Sequence, residues 1–479
     1  MRNRWSELAI LRVSGNFLGS RLRKMTLGMR GHKVIGAETN HGNVVRAMRL
    51  PFTLLLTSLA GMAFSQAQEA SPKTQLTLDD VVQLTKERNG TIRAAFADLE
   101  AAKGRSQASY SAFFPTVTPG FRYQYQRQET ASAQFGNRTF VFDQKQTQVD
   151  GNWTFLDSGQ RDAAFRLAKR NADATQFTLS QTVRQTLFNV QQQYYETLRA
   201  QELLKVTDSQ VIRANAILEQ TKKRVEVGDA ARKDILQASA DALNAQVNTI
   251  AARNRVANNG ATLKASVGID QFEPLPALVA ANSEPQLEKP SDLEGLFKSA
   301  MDVRPDLRAQ RKRLEAQKFA LKQSLMNAGV SFNLDGGYTY QFSPNQGANQ
   351  SLNLTLSYPL FDGGFRRANV RQDRATLESN VQTLTQAERT ARAEIESAYT
   401  TLAQNVDRLA AAKAAVEAAR VNYAAALGAQ QAGASDLIEV LTAQVSLVTA
   451  ESNYIEAVYD SLISDLRLKL VTGKPLPGE

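Results

Sequence analysis

Side chains able to do nucleophilic, redox or metal chemistry are nearly missing from this sequence. Its 479 residues include no Cys and two His, and both histidines, His32 and His41, fall within the first 67 positions. Without Cys there is no disulfide framework, thiolate metal site, catalytic thiol or lipid-bearing N-terminal Cys. Two histidines do not make a multi-histidine zinc site. No phosphate-loop motif and no Gly-x-Ser-x-Gly occurs, so the common nucleotide and acyl-transfer chemistries have no foothold. Carboxylates abound, but no pair of them stands in a recognisable motif. The expectation is no catalytic residue, no metal and no cofactor. Beyond position 67 the soft ligands are Met301 and Met326 alone, which argues against a soft-metal route.

The charge that remains is unevenly placed. Lys and Arg number 57 and Asp and Glu 47, a formal net charge of +10. Residues 1–67 carry ten of the bases and two of the acids, Glu7 and Glu38, and so supply +8 of that charge. The segment closes with Arg46-Ala-Met-Arg49, an apolar run from Leu50 to Phe64, and Ser65-Gln66-Ala67. A basic region, a short apolar core and a small-x-small end describe a secretory signal peptide. The core is short for a membrane-spanning anchor helix, the alternative reading. Met48 is a natural start, which makes 1–47 an over-long start or an extended leader. The remainder, from about Gln68, has a net charge of +2, and no nucleic-acid partner is expected of it.

Two copies of one unit follow. Asn152-Trp-Thr-Phe-Leu-Asp157-Ser-Gly159-Gln-Arg161 matches Ser357-Tyr-Pro-Leu-Phe-Asp362-Gly363-Gly364-Phe-Arg366 at an offset of 205. The same offset pairs Arg184 with Arg389, Tyr194 with Tyr399, Gly228 with Gly433 and Leu236 with Leu441. Upstream the offset is 215, pairing Tyr123 with Tyr338. The first copy therefore has about ten extra residues between Tyr125 and Asn152, read as a loop. The expected layout is a first repeat over 68–268, a Pro-rich linker over 269–290, a second repeat over 291–473 and a tail over 474–479.

Each copy contains two segments of strict alternation, at about 115–127, 146–156, 330–342 and 351–361. In the second copy Phe332, Leu334, Tyr338 and Tyr340 share one face, and Asn333, Asp335, Thr339 and Gln341 the other. Period two means strands with one apolar face, and about ten residues is the length of a transmembrane β-strand. Alternation alone also suits a soluble sandwich. After each strand pair comes a long run without Pro and almost without Gly. A helix from Gly159 to about Glu226 would be roughly 100 Å long, with Gly228 and Gly433 as the turns of two hairpins. Apolar spacings of three and four, as at Leu187, Val190, Tyr194 and Leu198, suit packing between long helices. Four strands cannot close a barrel in lipid. Three chains would supply twelve.

This arrangement resembles the TolC-like outer-membrane efflux proteins. The residues that carry the resemblance are the duplicated layout, the strand-exit motif Tyr358-Pro-Leu-Phe-Asp-Gly-Gly364, and the hairpin-tip motifs Val225-Glu-Val227-Gly228 and Ala432-Gly433-Ala-Ser435. Leu236-x-Ala238 and Leu441-x-Ala443 add to them. The resemblance spans Leu76–Gly473. It implies a mixed fold of α and transmembrane β: a homotrimer whose twelve-stranded β-barrel, four strands per protomer, continues into a long α-helical barrel. It also implies an outer-membrane exit duct with its helices in the periplasm, docked on a periplasmic adaptor protein and an inner-membrane transporter in efflux or type I secretion. Asp157, Gly159, Asp362, Gly363 and Gly364 would be its strand-exit turns. Val227, Gly228, Gly433 and Ser435 would be adaptor-docking tips, and Asp234, Glu439 and Thr442 a gate or selectivity ring. Read without the resemblance, Asp234 and Glu439 are solvated helix charges, and a Gly that ends a helix is a cap. The competing functional reading is a structural or adhesive coiled-coil envelope protein without transport activity.

Overall fold

The computed structural model describes residues 75–132, 136–279, 287–289, 291–343 and 345–479. The expected signal peptide, its over-long start and the first mature residues lie outside them. The elements run β1 (Gln75–Leu76), α1 (Leu78–Arg88), α2 (Gly90–Ser111), β2 (Thr116–Ser132), β3 (Gly136–Leu156), α3 (Gln160–Glu226) and α4 (Arg232–Val267). The same order returns as β4 (Ala277–Leu278), α5 (Leu293–Val303), α6 (Pro305–Met326), β5 (Ser331–Ser343), β6 (Gly347–Ser357), α7 (Phe365–Gln431) and α8 (Leu437–Thr472). The helices repeat residue for residue: α3 and α7 each have 67, and α4 and α8 each have 36.

Local chemistry sets the helix starts. Thr77 and Asp80 form a reciprocal capping box at α1, with Asp80 N donating to Thr77 Oγ1 at 3.3 Å and Thr77 N to the Asp80 carboxylate at 3.1 Å. Asn89 caps α2 by accepting from the amides of Thr91 and Ile92. Pro305 opens α6 at a position where its missing N–H costs nothing.

The strands differ from the sequence expectation in one instructive way. The ten extra residues of the first copy are not a loop. They lengthen β2 to 17 residues and β3 to 21, against 13 in β5 and 11 in β6. The fourth strand lies at Gly347–Ser357 rather than 351–361, because the chain leaves the ladder just before Pro359, which has no N–H to donate. The linker is also more than a connection. Its β4 pairs in parallel with β1, Gln75 opposite Ala277 and Leu76 opposite Leu278.

The four long strands make one antiparallel sheet in the order β2-β3-β5-β6. The β3–β5 ladder joins the two repeats, with Trp153 opposite Leu334 and Thr147 opposite Tyr340. The apolar face carries Val117, Phe121, Tyr123, Leu352, Leu354 and Leu356, all solvent-exposed in the single chain. No second sheet covers it among the described residues, so this is not half of a sandwich.

The helical hairpins α3–α4 and α7–α8 hold the main core. Val190, Tyr194, Leu198, Leu263, Val267 and Tyr459 pack with Leu76 and Val81 where α1, α3, α4 and α8 meet. Tyr194 Oη donates to the carbonyl of Val279 at 2.6 Å and lies 3.3 Å from that of Leu76. Burial pushes the phenols of Tyr194 and Tyr459 up to about 12.

Candidate functional site

The two hairpin tips end by the same device. Gly228 (φ +82°) and Gly433 (φ +73°) stand in the left-handed region just past α3 and α7, where a side chain would be strained. Asp229 N donates back to Arg224 O, and Ala434 N to Ala429 O, both at 2.8 Å. These bonds satisfy the last carbonyls of each helix. A Cβ on either glycine would meet open space, so the backbone there is accessible. Val227 is exposed beside Gly228. Ser435 is only partly exposed, and its hydroxyl is buried without a partner.

The gate candidates sit one turn into the returning helices and are not equivalent. Asp234 Oδ2 accepts from Ala231 N at 3.2 Å and so caps α4 itself. In α8 the cap is instead Asp436, at the place of Ala231, and its Oδ1 accepts from Glu439 N at 3.0 Å. Glu439 is therefore relieved of capping, and its exposed carboxylate has no partner among the described residues. Thr442 is exposed, but its hydroxyl donates to Ile438 O at 2.7 Å. Asp234, Glu439 and Thr442 share no hydrogen bond within the chain. What joins the two tips is Arg224: Nε donates to Asp229 Oδ2 at 2.8 Å, and Nη1 reaches Gln430 O of the other hairpin at 3.5 Å. Beneath it Ile217, Ala238, Leu437, Val440 and Leu441 pack together. Arg224 has no match at 429, an alanine, so the repeat does not reveal it.

The strand-exit turns are built around one carboxylate each. Asp157 accepts from Gly159 N (3.2 Å), Arg161 N (2.8 Å) and Arg161 Nε (2.9 Å). Asp362 accepts from Gly364 N (3.0 Å), Arg366 N (3.0 Å) and Arg366 Nε (2.6 Å). The Arg366 side-chain bond, followed by the backbone bond from the same residue, holds the Asp362 carboxyl below the usual carboxylate range. Gly159 and Gly364 both sit at φ +89°. Where the second copy has Gly363 (φ +63°), the first has Ser158 (φ +54°), whose hydroxyl donates to Val330 O at 2.9 Å.

The polar sheet face is rich in amides. Gln144 Nε2 donates to Gln146 Oε1 at 3.0 Å and to Gln341 Oε1 at 3.4 Å, across the junction of the repeats. Toward the helices the face turns to Asp335, bonded to Asn152, and Asn333, which accepts from Thr154 Oγ1 at 2.6 Å. One face is thus hydrogen-bonding and the other apolar, as a wall between water and lipid requires. Among the described residues no helix is long and apolar enough to cross a membrane.

Known proteins share this design. The family model described as outer membrane efflux protein matches residues 81–269 and 296–474. The outer membrane protein TolC of Vibrio cholerae serotype O1 is 24% identical over 407 residues, covering 83% of this chain and 90% of that protein. The outer membrane protein TolC of Escherichia coli strain K12 is 24% identical over 445 residues, covering 88% and 86%. Among solved structures, the CmeC outer membrane channel of Campylobacter jejuni superposes with a TM-score of 0.74 at 17% identity, covering 83% of this chain and 85% of that one.

Proposed function

The chain belongs to the outer membrane efflux protein family, and from that premise we propose that it is the outer-membrane exit duct of a tripartite efflux or type I secretion system. It is an outer-membrane transport protein. The finer reading is a homotrimer whose twelve strands close a barrel in outer-membrane lipid and whose helices form a tube in the periplasm. Cargo passes through it passively, handed on by a periplasmic adaptor and an inner-membrane transporter.

One observation carries this reading. Leu236 and Leu441 occupy the same place in the two repeats, yet Leu441 is 8% exposed and Leu236 is 74% exposed. Leu441 is covered because α8 lies against α3 of the first repeat. Leu236 on α4 has the same surface and nothing upon it. Leu243, Val247 and Ile250 continue the bare stripe. A neighbouring chain that repeats the internal junction would cover α4 with its own α7, and would pair β2 with the neighbour's β6. Closure of such a ring removes both unpaired sheet edges, which a bilayer does not tolerate. A coiled-coil envelope protein without transport has no use for this amphipathic sheet.

At the periplasmic end, Val227, Gly228, Gly433 and Ser435 offer accessible tips to the adaptor. Three copies of Glu439 around the axis supply the charge of the gate, with Asp234 held back by its capping bond and Thr442 adding a neutral rim. The test is outer-membrane fractionation followed by crosslinking in detergent, and then recording in planar bilayers. The expected result is a crosslinked trimer in the outer-membrane fraction, with channels whose cation selectivity falls in Glu439→Gln more than in Asp234→Asn. A soluble monomer, or a selectivity indifferent to Glu439, contradicts the respective part.

A further inference from the structure

Above the tips, where the two hairpins of one chain meet, a buried amide is left half satisfied. Gln444 of α8 is 0% exposed. Its Nε2 donates to Asp241 Oδ2 of α4 at 3.3 Å, linking one hairpin to the other. Its Oε1 is buried and has no partner, a state that proteins rarely leave uncompensated. Next to it stands a carboxylate which, when ionised, can only accept. Asp241 therefore satisfies one end of the amide and, when ionised, has no donor to offer the other end.

The surroundings offer no cation to explain Asp241. On its own helix Ala238, Ala242 and Ala245 flank it, packing against Ala214 and Ile217 of α3 and Val440 and Leu441 of α8. Among the charged groups of these elements, Arg213 of α3 pairs with Glu451 of α8 at 3.3 Å, Lys222 with Glu219, both on α3, at 2.7 Å, and Arg253 of α4 with Asp208 of α3 at 3.5 Å. On α7 Arg420 pairs with Glu417 at 3.2 Å. Glu439 of α8 is exposed one turn from the tip. None of these groups acts on the Asp241 carboxyl, whose environment consists of burial and the bond from Gln444. Burial is the larger effect, and it raises the carboxyl above its ordinary value against the opposing pull of that bond.

We propose that Asp241 and Gln444 form a proton-operated clasp between the two helical hairpins of each chain. When Asp241 takes a proton from solvent, its O–H donates to Gln444 Oε1 while its carbonyl oxygen keeps the bond from Gln444 Nε2. One hydrogen bond between α4 and α8 becomes a closed pair, and the orphaned acceptor is satisfied. The neutral form is the one the folded junction prefers. The closed clasp is therefore present at acid pH and is lost as pH rises through the raised carboxyl value. Protonation draws the hairpins together near the tips, and deprotonation loosens them. The link to duct opening rests on the function proposed above, but the clasp itself is a property of one chain.

The sequence has no Cys, so introduced cysteines are unique labelling sites. Nitroxides at Glu226→Cys and Ala432→Cys, one on each hairpin, report inter-hairpin distances in purified protein. Labelled chains are diluted with unlabelled ones, and spectra are compared at acid and neutral pH. The parent is expected to show a distance distribution that narrows on acidification. In Asp241→Asn the side chain carries a donor and an acceptor at every pH, so the narrow distribution is expected throughout. In Gln444→Met, which keeps the length and removes both bonds, the broad distribution is expected throughout. A parent indifferent to pH overturns the clasp, and so does either variant that keeps the parent's pH response. Failure of the duct reading would appear separately, as absent trimers or absent conductance, with the intrachain distances unaffected.

Discussion

Tyr194 shows how a single side chain ties the distant parts of this fold together. It lies on the longest helix of the first repeat, yet its hydroxyl donates to the carbonyl of Val279, just past β4, and lies beside that of Leu76 in β1. Removing that hydroxyl takes the side-chain donor from the Val279 carbonyl, while Leu76 O keeps its bond from Val279 N at 3.0 Å, so Tyr194→Phe should destabilise the core around the β1–β4 sheet by about 1–3 kcal/mol, read from thermal unfolding in detergent. The same residue predicts an alkaline limit. Its folded value of about 12 lies above the free-phenol value of about 10. The neutral phenol therefore contributes stability in full below the lower value, and that contribution disappears as pH rises through the upper one. Tyr194→Phe should flatten the alkaline end of the unfolding profile, and an unchanged profile would reject the assignment. The helical periodicity of the sequence placed Tyr194 on a packing face but said nothing of its carbonyl partners, because β1 and β4 are two residues each and leave no pattern. The strand-exit corners were more legible. Their Asp and Gly recur at one offset, and so does the Arg four residues after each Asp, although its three-point clamp emerges only from the geometry.

Among the elements, the helices could be read and the outer halves of the first hairpin could not. Helix ends are marked by residues with a backbone consequence, such as Gly228 and Gly433, and the equal lengths of α3 and α7 follow from an offset that never changes. Along β2 the alternation fails after Tyr125, because Arg127 and Glu129 take positions on the apolar face. Asp143 and Lys145 do the same on β3, and the ladder continues regardless, with Gln128 opposite Phe140 and Thr130 opposite Arg138. A strand of 21 residues spans roughly 70 Å at about 3.4 Å per residue, well beyond a hydrocarbon core of about 30 Å. In the barrel proposed above, the charged positions mark where β2 and β3 would leave lipid for water. At the opposite end of the molecule the tip glycines lend themselves to a clean test. Gly433→Val forces a branched residue into φ +73°, at a cost of about 1–2 kcal/mol, but its Cβ meets open space. Trimers should persist on gels while capture of the periplasmic adaptor falls. Loss of the trimer itself would place Gly433 in assembly rather than docking.

For the whole molecule, the internal repeat works as a rule for building outward. The junction between the first and second repeats is visible within one chain: α8 against α3, α6 against α3, and β3 paired with β5. Arg308 of α6 lies 5.1 Å over the ring of Phe177 of α3, and Arg199 of α3 meets Asp460 of α8 at 3.0 Å. In the trimer proposed above, the same junction applied once more would lead from the second repeat of one chain to the first repeat of the next. Matched leucines can test the rule, because their chemistry is identical and only the covering partner differs. Leu441→Arg buries a charge inside the protomer, so it should prevent the chain from folding and reaching the outer membrane. Leu236→Arg places the same charge on a surface that only a neighbour covers. The protomer should fold, keep its helical signal and extract as a monomer. A Leu236→Arg protein that still crosslinks as a trimer would show that α4 faces lipid, lumen or water, and would break the extension of the repeat from one chain to three.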